Sequence, residues 1–393
     1  MEFSLAQLLD PVTPSQFRDD YYTIKPLLVS NMRDKFDGLF GWESLNTILN
    51  SSQIPHPTMK LVLDGIRQTA SNALDIIDTC RDGATLVLDR VDMYDPKVAA
   101  LAACVSSELG EPTRINLYYS QPSRSGFERH YDTHDVFILQ IAGCKSWEIF
   151  EPTVKFPLVG MDSHGLIPPE EPFTGFTLEP GDVLYIPRGY WHEATAQVRQ
   201  SLHLTLGIYA RTGIDFLSWL VNEFRGDVNW RQAFPLTSRD ERVELQGAPE
   251  EVVTHFNLLR QLLISKIKGH GLIENYYQFC IASDEKSRPF DFPFQADPHE
   301  IALAEDDTYS RLSNQRVILE KDASSGVIRA TVWGRVLTFS EEAEPAVRHI
   351  FTTPVFKASE LMAASPRLTR KDINALLRTL LGEGIIVFGA GYS

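Results

Sequence analysis

The sequence has few cysteines and no long uninterrupted apolar run. Its four cysteines stand far apart in a chain of 393 residues and form no C-x-x-C pair. This spacing excludes a disulfide scaffold and a zinc ribbon, and it favours a reducing, cytoplasmic location. No segment approaches about 18 consecutive apolar residues, so we expect no transmembrane helix and no membrane partner. Residues 1–4 lack a basic segment followed by an apolar run, so we expect no secretory signal.

Basic residues are scarce relative to acidic ones. The chain carries 37 lysines and arginines against 52 aspartates and glutamates, a formal net charge of −15. A field of this sign repels phosphate backbones, so a nucleic-acid partner is not expected without a local basic face. The hydrophobic fraction of 43% and the charged fraction of 23% are ordinary for a globular protein and exclude a disordered or fibrous one.

The pattern of apolar residues changes along the chain and predicts an α+β protein. Residues 113–210 contain short apolar or alternating runs separated by Gly, Pro and Asp, which is typical of an antiparallel β-sandwich or barrel. Residues 213–279 carry apolar residues at helical spacing. The tail then shows strands, two helices joined by a turn at Pro366, and a closing strand, which describes a winged-helix module.

Two histidines and one aspartate in the strand-rich segment are candidate metal ligands. His130 and Asp132 are two residues apart, and such residues point to the same side of a strand. His192 follows a predicted strand and a turn, and it could return to the same cavity. Two histidines and a carboxylate form the facial triad of non-haem Fe(II) oxygenases, which leaves positions open for a co-substrate and O₂.

An H-x-D triplet by itself is weak, because such a pair also occurs where both side chains are solvated or satisfied in a core. The Gly- and Pro-rich turns that flank His130 and His192 strengthen the metal hypothesis, since ligands at the rim of a barrel belong there. His134 competes with His130 as a ligand. We interpret it as a residue beside the site or on the surface.

Lys145 is the candidate for binding an anion. It follows the predicted hairpin turn at Gly143, and spacing alone favours an exposed lysine. A lysine deep in a barrel would need an anion, which a dicarboxylate co-substrate would supply. Polar residues also alternate with apolar ones in 116–118 and 201–206, as expected for strands that line a hydrophilic cavity.

The central segment resembles the JmjC oxygenases of the ribosomal-oxygenase (cupin-4) group. The order and spacing of the motifs hold throughout residues 115–207. The matching segments are 115–118 (INLY), 126–127 (GF), 130–140 (HYDTHDVFILQ), 143–147 (GCKSW), 178–192 (LEPGDVLYIPRGYWH) and 201–207 (SLHLTLG).

The resemblance implies a 2-oxoglutarate- and Fe(II)-dependent dioxygenase that uses O₂ to hydroxylate a side chain of a protein or peptide, ribosomal proteins being known targets of the group. By motif position, the iron ligands would be His130, Asp132 and His192. Lys145 would pair with the distal carboxylate of 2-oxoglutarate. The remaining positions implied to line the co-substrate pocket are Asn116, Tyr118 and Thr205. We expect no catalytic residue beyond the metal triad.

The flanking layout also resembles the family. It implies a JmjC double-stranded β-helix with N-terminal helices and strands over residues 1–212. A helical dimerisation region would follow over 213–295, and a winged-helix domain over 296–393. A homodimer is therefore expected by analogy.

Two departures from the family pattern are visible. Gly207 stands where relatives can carry a serine, and Cys144 stands where they often have a basic residue. Neither position belongs to the triad, but both leave the co-substrate contacts and the rim of the pocket open.

Four alternatives stay open. The same chemistry could act on a ribosomally made peptide or a small amino-acid derivative, or it could remove methyl groups from N-methyl-lysine. In a different class, the chain could be a DNA-binding regulator with a ligand-sensing barrel, since Arg367, Arg370, Lys371 and Arg378 cluster near the second tail helix. A degenerate oxygenase that folds without turnover is disfavoured by the intact triad and Lys145.

Overall fold

The computed structural model divides the chain into two compact units, Met1–Ala210 and Arg211–Arg311 with Gln315–Gly391. The residues that it describes are 4–30, 33–51, 58–122, 126–197, 199–236, 249–283, 291–296, 304–311, 316–332 and 334–389. Among these residues, no helix is both long and apolar enough to cross a membrane.

The first unit combines short helices with most of the strands of the protein. Its helices within the described residues are α1 (Leu5–Leu9), α2 (Pro14–Asp20), α3 (Trp42–Ser51), α4 (Ala73–Arg81) and α5 (Pro96–Leu109). Its strands are β1 (Leu27–Val29), β2 (Met59–Leu63), β3 (Ile66–Gln68), β4 (Thr85–Leu88), β5 (Thr113–Ser120), β6 (Asp135–Ala142), β7 (Lys145–Phe150), β8 (Thr174–Leu178), β9 (Val183–Ile186), β10 (Trp191–Ala196) and β11 (Ser201–Ile208).

Local sequence signals set the ends of helix α5. The side chain of Asp95 accepts hydrogen bonds from the backbone N–H groups of Lys97 and Val98, and Pro96 occupies the first helical position. Gly110 ends the helix in the left-handed conformation, where a residue without Cβ meets no steric penalty. These signals place the helix between β4 and β5, against the core of the unit.

Two antiparallel sheets of the first unit face each other and form a cup. The larger sheet has the strand order β1-β9-β6-β11-β5-β4-β2-β3, and the smaller has the order β10-β7-β8. Apolar side chains from both sheets meet in one buried cluster, to which Ile138 and Leu184 contribute from the larger sheet and Trp147 and Ile149 from the smaller. The predicted β-barrel or sandwich is therefore confirmed as a two-sheet structure.

Strand β11 shows why the cup has a polar lining. Leu202, Leu204 and Leu206 are buried in the large apolar core with the N-terminal helices. His203 and Thr205 lie between them in sequence and point to the opposite face, because successive side chains of a strand alternate. The predicted alternation is therefore present, and the residues between the leucines line the cup.

Two local predictions are wrong. Gly143 does not form a hairpin, since β6 belongs to the larger sheet and β7 to the smaller. With φ of +67°, Gly143 instead turns the chain from one sheet to the other, and a Cβ there would lie 1.9 Å from the carbonyl oxygen of Gln200. His130 and Asp132 do not share a regular strand, because only His130 forms an isolated bridge.

The second unit contains the predicted helices of residues 213–279 and the mixed tail. Its helices within the described residues are α6 (Gly213–Phe224), α7 (Val228–Arg231), α8 (Glu250–Lys268), α9 (Leu272–Ser283), α10 (Glu344–Thr352), α11 (Ala358–Ala364) and α12 (Arg370–Gly382). Its strands are β12 (Thr308–Arg311), β13 (Val317–Lys321), β14 (Ile328–Val332), β15 (Arg335–Phe339), β16 (Val355–Lys357) and β17 (Ile386–Phe388).

These tail strands form two separate antiparallel sheets. One has the order β16-β12-β17 and the other the order β13-β14-β15. The two tail helices and the closing strand predicted from sequence correspond to α11, α12 and β17. Helix α10 and strands β12, β15 and β16 were not predicted.

Candidate metal centre

Three side chains meet at one end of the cup. The ligand atoms of His130, Asp132 and His192 all lie within 4.8 Å of one another. Nε2 of His192 is 3.7 Å from Oδ2 of Asp132, and the centroids of the two imidazole rings are 4.5 Å apart. His134 is not part of this group. The structure therefore brings together the three residues that the sequence proposed.

The backbone fixes the two histidines side by side. The N–H of His192 donates to the carbonyl of His130 at 2.7 Å, and the N–H of His130 donates to the carbonyl of His192 at 3.1 Å. Two residues directly opposed in an antiparallel pair send their side chains to the same face. Strand β10, which was not predicted from the sequence, supplies His192. The same strand pairs antiparallel with β7.

The residues between and beside the candidate ligands point the other way. Tyr131 and Trp191 form a buried cluster with Phe150, and the rings of Tyr131 and Trp191 meet edge to face at 5.0 Å. This aromatic cluster anchors both ligand-bearing segments from behind. The side chains of the ligands are therefore held by packing as well as by backbone hydrogen bonds.

The outer nitrogen of each imidazole has a backbone partner. Nδ1 of His130 lies 2.8 Å from the carbonyl oxygen of Glu128, and Nδ1 of His192 lies 3.1 Å from that of Tyr190. Because a carbonyl only accepts, each Nδ1 carries the proton. In the neutral imidazole, Nε2 then presents its lone pair to the site, which is the orientation that a metal-binding histidine needs.

The electrostatics of the group suit a divalent cation. Burial, together with the neighbouring His130, lowers the pKa of His192 to about 4, so its imidazole is neutral at physiological pH. Burial raises the pKa of Asp132, but the nearby imidazoles of His134, His192 and His130 outweigh it, and the net shift is downward. Neutral imidazoles and an ionised carboxylate are the donors that Fe(II) takes in a facial triad.

Lys145 lies inside the cup, so the expectation of an exposed hairpin lysine is wrong. Only 6% of the residue is exposed, and Nζ donates to Oγ of Ser120 at 3.1 Å. Burial lowers the pKa of Lys145 to about 7. No carboxylate of the described residues forms an ion pair with it. A buried cation in this state fits an anionic ligand.

The other predicted pocket residues stand on neighbouring strands. Thr205 on β11 is the direct cross-strand partner of Asn116 on β5, and His203 is the partner of Tyr118. Oδ1 of Asn116 accepts a hydrogen bond from the backbone N–H of Arg90 at 3.0 Å. Burial raises the pKa of Tyr118, so its hydroxyl stays protonated and able to donate. The structure thus gathers all three residues on the cup face of the larger sheet.

His203 and Trp147 were not predicted as site residues. The ring of His203 stacks on Tyr118 at 4.9 Å, and Trp147 approaches both His203 and His192 at 5.6 and 5.9 Å. Nδ1 of His203 and Nε1 of Trp147 are buried without a hydrogen-bond partner among the described residues. Their position along the strands could have identified them, because residues two apart in a strand point to the same face. Trp147 lies two residues from Lys145, and His203 lies two residues from Thr205.

The structure gives a reason for the glycine at position 207. A Cβ there would lie 2.7 Å from Cδ2 of His134, too close for a real contact. The His134 ring stacks on Tyr209 at 4.7 Å, and the guanidinium of Arg114 covers that tyrosine at 4.8 Å. Gly207 and His134 therefore fit each other at the rim. Cys144 is a half-buried free thiol.

A cup of two antiparallel sheets that holds two imidazoles and a carboxylate defines a cupin-type protein. Residues 91–216 match the family model of the JmjC domain, so this segment is a JmjC domain. The resemblance stated from the motifs is confirmed.

Relatives with matching sequence carry ribosomal-oxygenase and hydroxylase names. Ribosomal oxygenase 1 of Gallus gallus is 29% identical over 248 residues, which cover 58% of this chain and 41% of the relative. The bifunctional lysine-specific demethylase and histidyl-hydroxylase NO66 of Drosophila mojavensis is 27% identical over 215 residues, which cover 51% of this chain and 24% of the relative. The chain thus spans less than half the length of these two relatives.

A solved structure shares the fold over nearly the whole chain. The ribosomal oxygenase YcfD from Escherichia coli, in complex with cobalt and 2-oxoglutarate, aligns with a TM-score of 0.63 at 20% identity. The alignment covers 96% of this chain and 98% of YcfD. The fold is therefore that of a JmjC/cupin protein with mixed helices and sheets.

Proposed function

We propose that this protein is a 2-oxoglutarate- and Fe(II)-dependent dioxygenase that hydroxylates an amino-acid side chain in a protein or peptide. One observation carries the proposal: the three candidate ligands and the buried cation Lys145 lie in the same cup. The names of the relatives and the cobalt and 2-oxoglutarate in the YcfD complex support it.

The residues present fit the ion. His130 and His192 would bind it through Nε2, because each Nδ1–H donates to a backbone carbonyl. Asp132 would bind through a carboxylate oxygen and offset part of the charge. When bound, Fe(II) with 2-oxoglutarate and O₂ supplies the oxidation of an unreactive C–H bond, with succinate and CO₂ as co-products.

The same cup fits a dicarboxylate. Lys145 would hold the far carboxylate by a charge-assisted hydrogen bond, and Ser120 would keep the ammonium in position. Asn116, Tyr118 and Thr205 would contribute polar contacts along the larger sheet. Apolar side chains of the same interior, among them Ile138 beside Thr205 and Ile149 beside His192, would exclude water from the reaction.

Succinate formation tests the proposal directly. Purified protein with Fe(II), ascorbate, 2-oxoglutarate and O₂ should release succinate, and lysate peptides should gain one oxygen in mass spectrometry only when 2-oxoglutarate is present. Binding of Co²⁺, followed by its visible absorption, gives a readout independent of turnover. An absence of succinate with every candidate substrate would overturn the proposal.

Demethylation of N-methyl-lysine is the second candidate. Its support is the name of the Drosophila relative, which combines a demethylase with a histidyl-hydroxylase. Hydroxylation of an N-methyl group would release formaldehyde, whereas hydroxylation of a carbon atom leaves the oxygen on the product. A formaldehyde assay on methylated and unmethylated peptides therefore separates the two outcomes.

We also propose the three-part organisation 1–212, 213–295 and 296–393, with a homodimer formed through the helical part. The division of the chain after Ala210 supports the first boundary. Large apolar side chains remain exposed on α6, α8 and α9, among them Leu217, Val221, Phe256 and Ile273. Light scattering should give the mass of two chains, and a monomer at micromolar concentration would contradict the dimer.

The proposal for residues 296–393 is a winged-helix domain with an architectural role. Helices α11 and α12, followed by strand β17, support this arrangement. Arg370, one of the four basic residues that suggested DNA binding, forms an ion pair with Glu305 at 3.3 Å. A salt-dependent shift of random duplex DNA would revive the DNA-binding hypothesis. The cytoplasmic location stays a prediction.

A further inference from the structure

The loop between β7 and β8 exposes an unusual number of large apolar side chains. Val159 is 86% exposed and Ile167 is 88% exposed. Large apolar surfaces on a protein commonly mark interaction sites. We call this surface the apolar lip, and its members are Phe156, Val159, Met161, Leu166, Ile167 and Phe173.

The lip leaves the sheet at the metal end of the cup. Strand β7 pairs with β10 so that Lys145 lies opposite Ala196, whereas Ile149 lies opposite His192. The strand therefore runs from the lysine towards the candidate ligands. The loop that follows Phe150 begins beside the candidate metal centre and not at the Lys145 end.

Hydrogen bonds join the lip to the segment that carries His130 and Asp132. The hydroxyl of Tyr131 donates to the carbonyl oxygens of Met161 and Asp162 at 2.9 and 3.2 Å. Arg129 donates to the carbonyl of Pro169. The lip is thus positioned by residues that adjoin the candidate ligands in sequence.

The other ligand-bearing segment holds the start of the loop. The N–H of Gly189 donates to the carbonyl of Asp132 at 3.0 Å, and a Cβ at Gly189 would lie 2.5 Å from the carbonyl oxygen of Val154. Nε1 of Trp191 donates to Oγ1 of Thr153 at 2.9 Å. The loop is therefore held by both segments that carry the candidate ligands.

The loop's own charge is acidic, and one cation from outside it, the guanidinium of Arg188, lies over the ring of Phe156 at 5.7 Å. The loop carries one lysine, Lys155, against four exposed acidic residues, Glu151, Asp162, Glu170 and Glu171. A partner that covers the apolar side chains would meet this charge at its edge, and a basic segment would be favoured.

We propose that the apolar lip docks a basic peptide segment with apolar side chains, which belongs to the substrate and flanks the residue that enters the cup. The inference rests on the proposed function and names the chemistry of its substrate. Its two supports are the continuity of the lip with the candidate metal centre and the complementarity of charge.

Peptide binding tests the lip. Fluorescence polarisation would use the full chain and three labelled synthetic peptides that alternate Arg with Leu, Glu with Leu, and Arg with Ser. The Arg–Leu peptide should bind most tightly. The double variant Val159→Ser, Ile167→Ser should weaken it about tenfold, and Glu170→Lys with Glu171→Lys should weaken it and reduce its salt dependence.

A matched control separates the loss of peptide docking from a general effect of removing an exposed apolar side chain. Leu74 on α4 is 71% exposed, so Leu74→Ser removes a comparable side chain away from the lip and should leave binding unchanged. Equal thermal unfolding of the variants would show that all are folded. Binding of the Arg–Leu peptide that is unaffected by the lip variants, or matched by the Glu–Leu peptide, would overturn the inference.

Two further readouts distinguish the possible failures. Succinate released from 2-oxoglutarate without peptide reports on the proposed function alone, and the lip variants should retain it. If wild-type protein releases none, either alone or with any candidate substrate, the proposed function fails whatever the peptide-binding result. If the lip variants convert a dimer into a monomer in sedimentation, a second copy of the chain covers the lip and the inference is wrong.

Discussion

The two faces of the larger sheet differ in how their buried groups are satisfied. On the core face, Leu204 and Leu206 are completely buried among apolar side chains. On the cup face of the same strand, His203 is almost as buried, yet its Nδ1 has no partner among the described residues. Across the cup, none of the described carboxylates forms an ion pair with Lys145. Burial stabilises the fold on one face, whereas on the other it leaves polar groups that can hydrogen-bond to a ligand or to water.

The largest effect should come from the cup. His192→Ala removes one of three ligands, so succinate formation should fall to background and Co²⁺ binding should be lost. The thermal unfolding temperature of the metal-free protein should change little, because the backbone bridge to His130 does not need the side chain. If the variant still turned over 2-oxoglutarate, the claim that the cup face serves the reaction would be contradicted.

The matching change on the core face should act on stability instead. Leu204→Ala leaves a cavity in the apolar cluster and should lower the free energy of unfolding by about 2–5 kcal/mol. The activity of each molecule that remains folded should be nearly unchanged. Urea unfolding and succinate assays at low temperature measure the two effects, and a stable but inactive variant would contradict this assignment.

Burial of Lys145 on the cup face should make the stability of the protein depend on pH. Its pKa in the folded protein is about 7, below the unfolded value, so the unfolded state binds more protons between these two pH values. The stability of the ligand-free protein should therefore rise with pH above 7. Lys145→Met should flatten that rise.

The same residue should set the affinity for 2-oxoglutarate. Loss of a charge-assisted bond in Lys145→Met should raise the apparent KM by roughly 10- to 100-fold. In the wild type, affinity should fall as pH increases above 7, because the ammonium loses its proton. Lys145→Arg serves as the control, since its guanidinium stays charged and should show no such fall.

The smallest effect should follow from a single hydroxyl. Thr205→Val keeps the shape of a side chain that faces the cup but removes one hydrogen-bonding group. It should raise the apparent KM for 2-oxoglutarate only severalfold, equivalent to about 1 kcal/mol. Its unfolding curve should overlie that of the wild type. A large loss of stability would instead show that Thr205 contributes to the packing of the core.

Much of this arrangement could be predicted from local sequence. The alternation of 201–208 identifies the two faces of β11 without any knowledge of the partner strands, because side-chain period is a property of one strand. The ends of α5 are likewise determined by Asp95, Pro96 and Gly110. The candidate ligands followed from residue type and motif spacing.

What could not be predicted depends on which sheet a strand joins. Gly143 looks like a hairpin glycine in sequence, and only the crossing of β7 to the smaller sheet buries Lys145. His130 and Asp132 face one site through an isolated bridge and an irregular segment. The prediction that they lie close together was right, although its assumption that they share a strand was wrong. The alternation of 201–206 placed His203 on the cavity face without marking it as a site residue, and Trp147 was missed although it has the same strand parity as Lys145.

The paired backbone hydrogen bonds between His130 and His192 have a consequence for metal choice. They set the spacing of the two imidazoles before any ion arrives, so the protein does not select its ion by folding around it. Nitrogen and oxygen donors of this kind follow the Irving–Williams order, in which zinc, nickel and copper bind more tightly than ferrous iron. Iron loading is therefore decided by metal supply, and purified material should be assayed for competing ions before its turnover is interpreted.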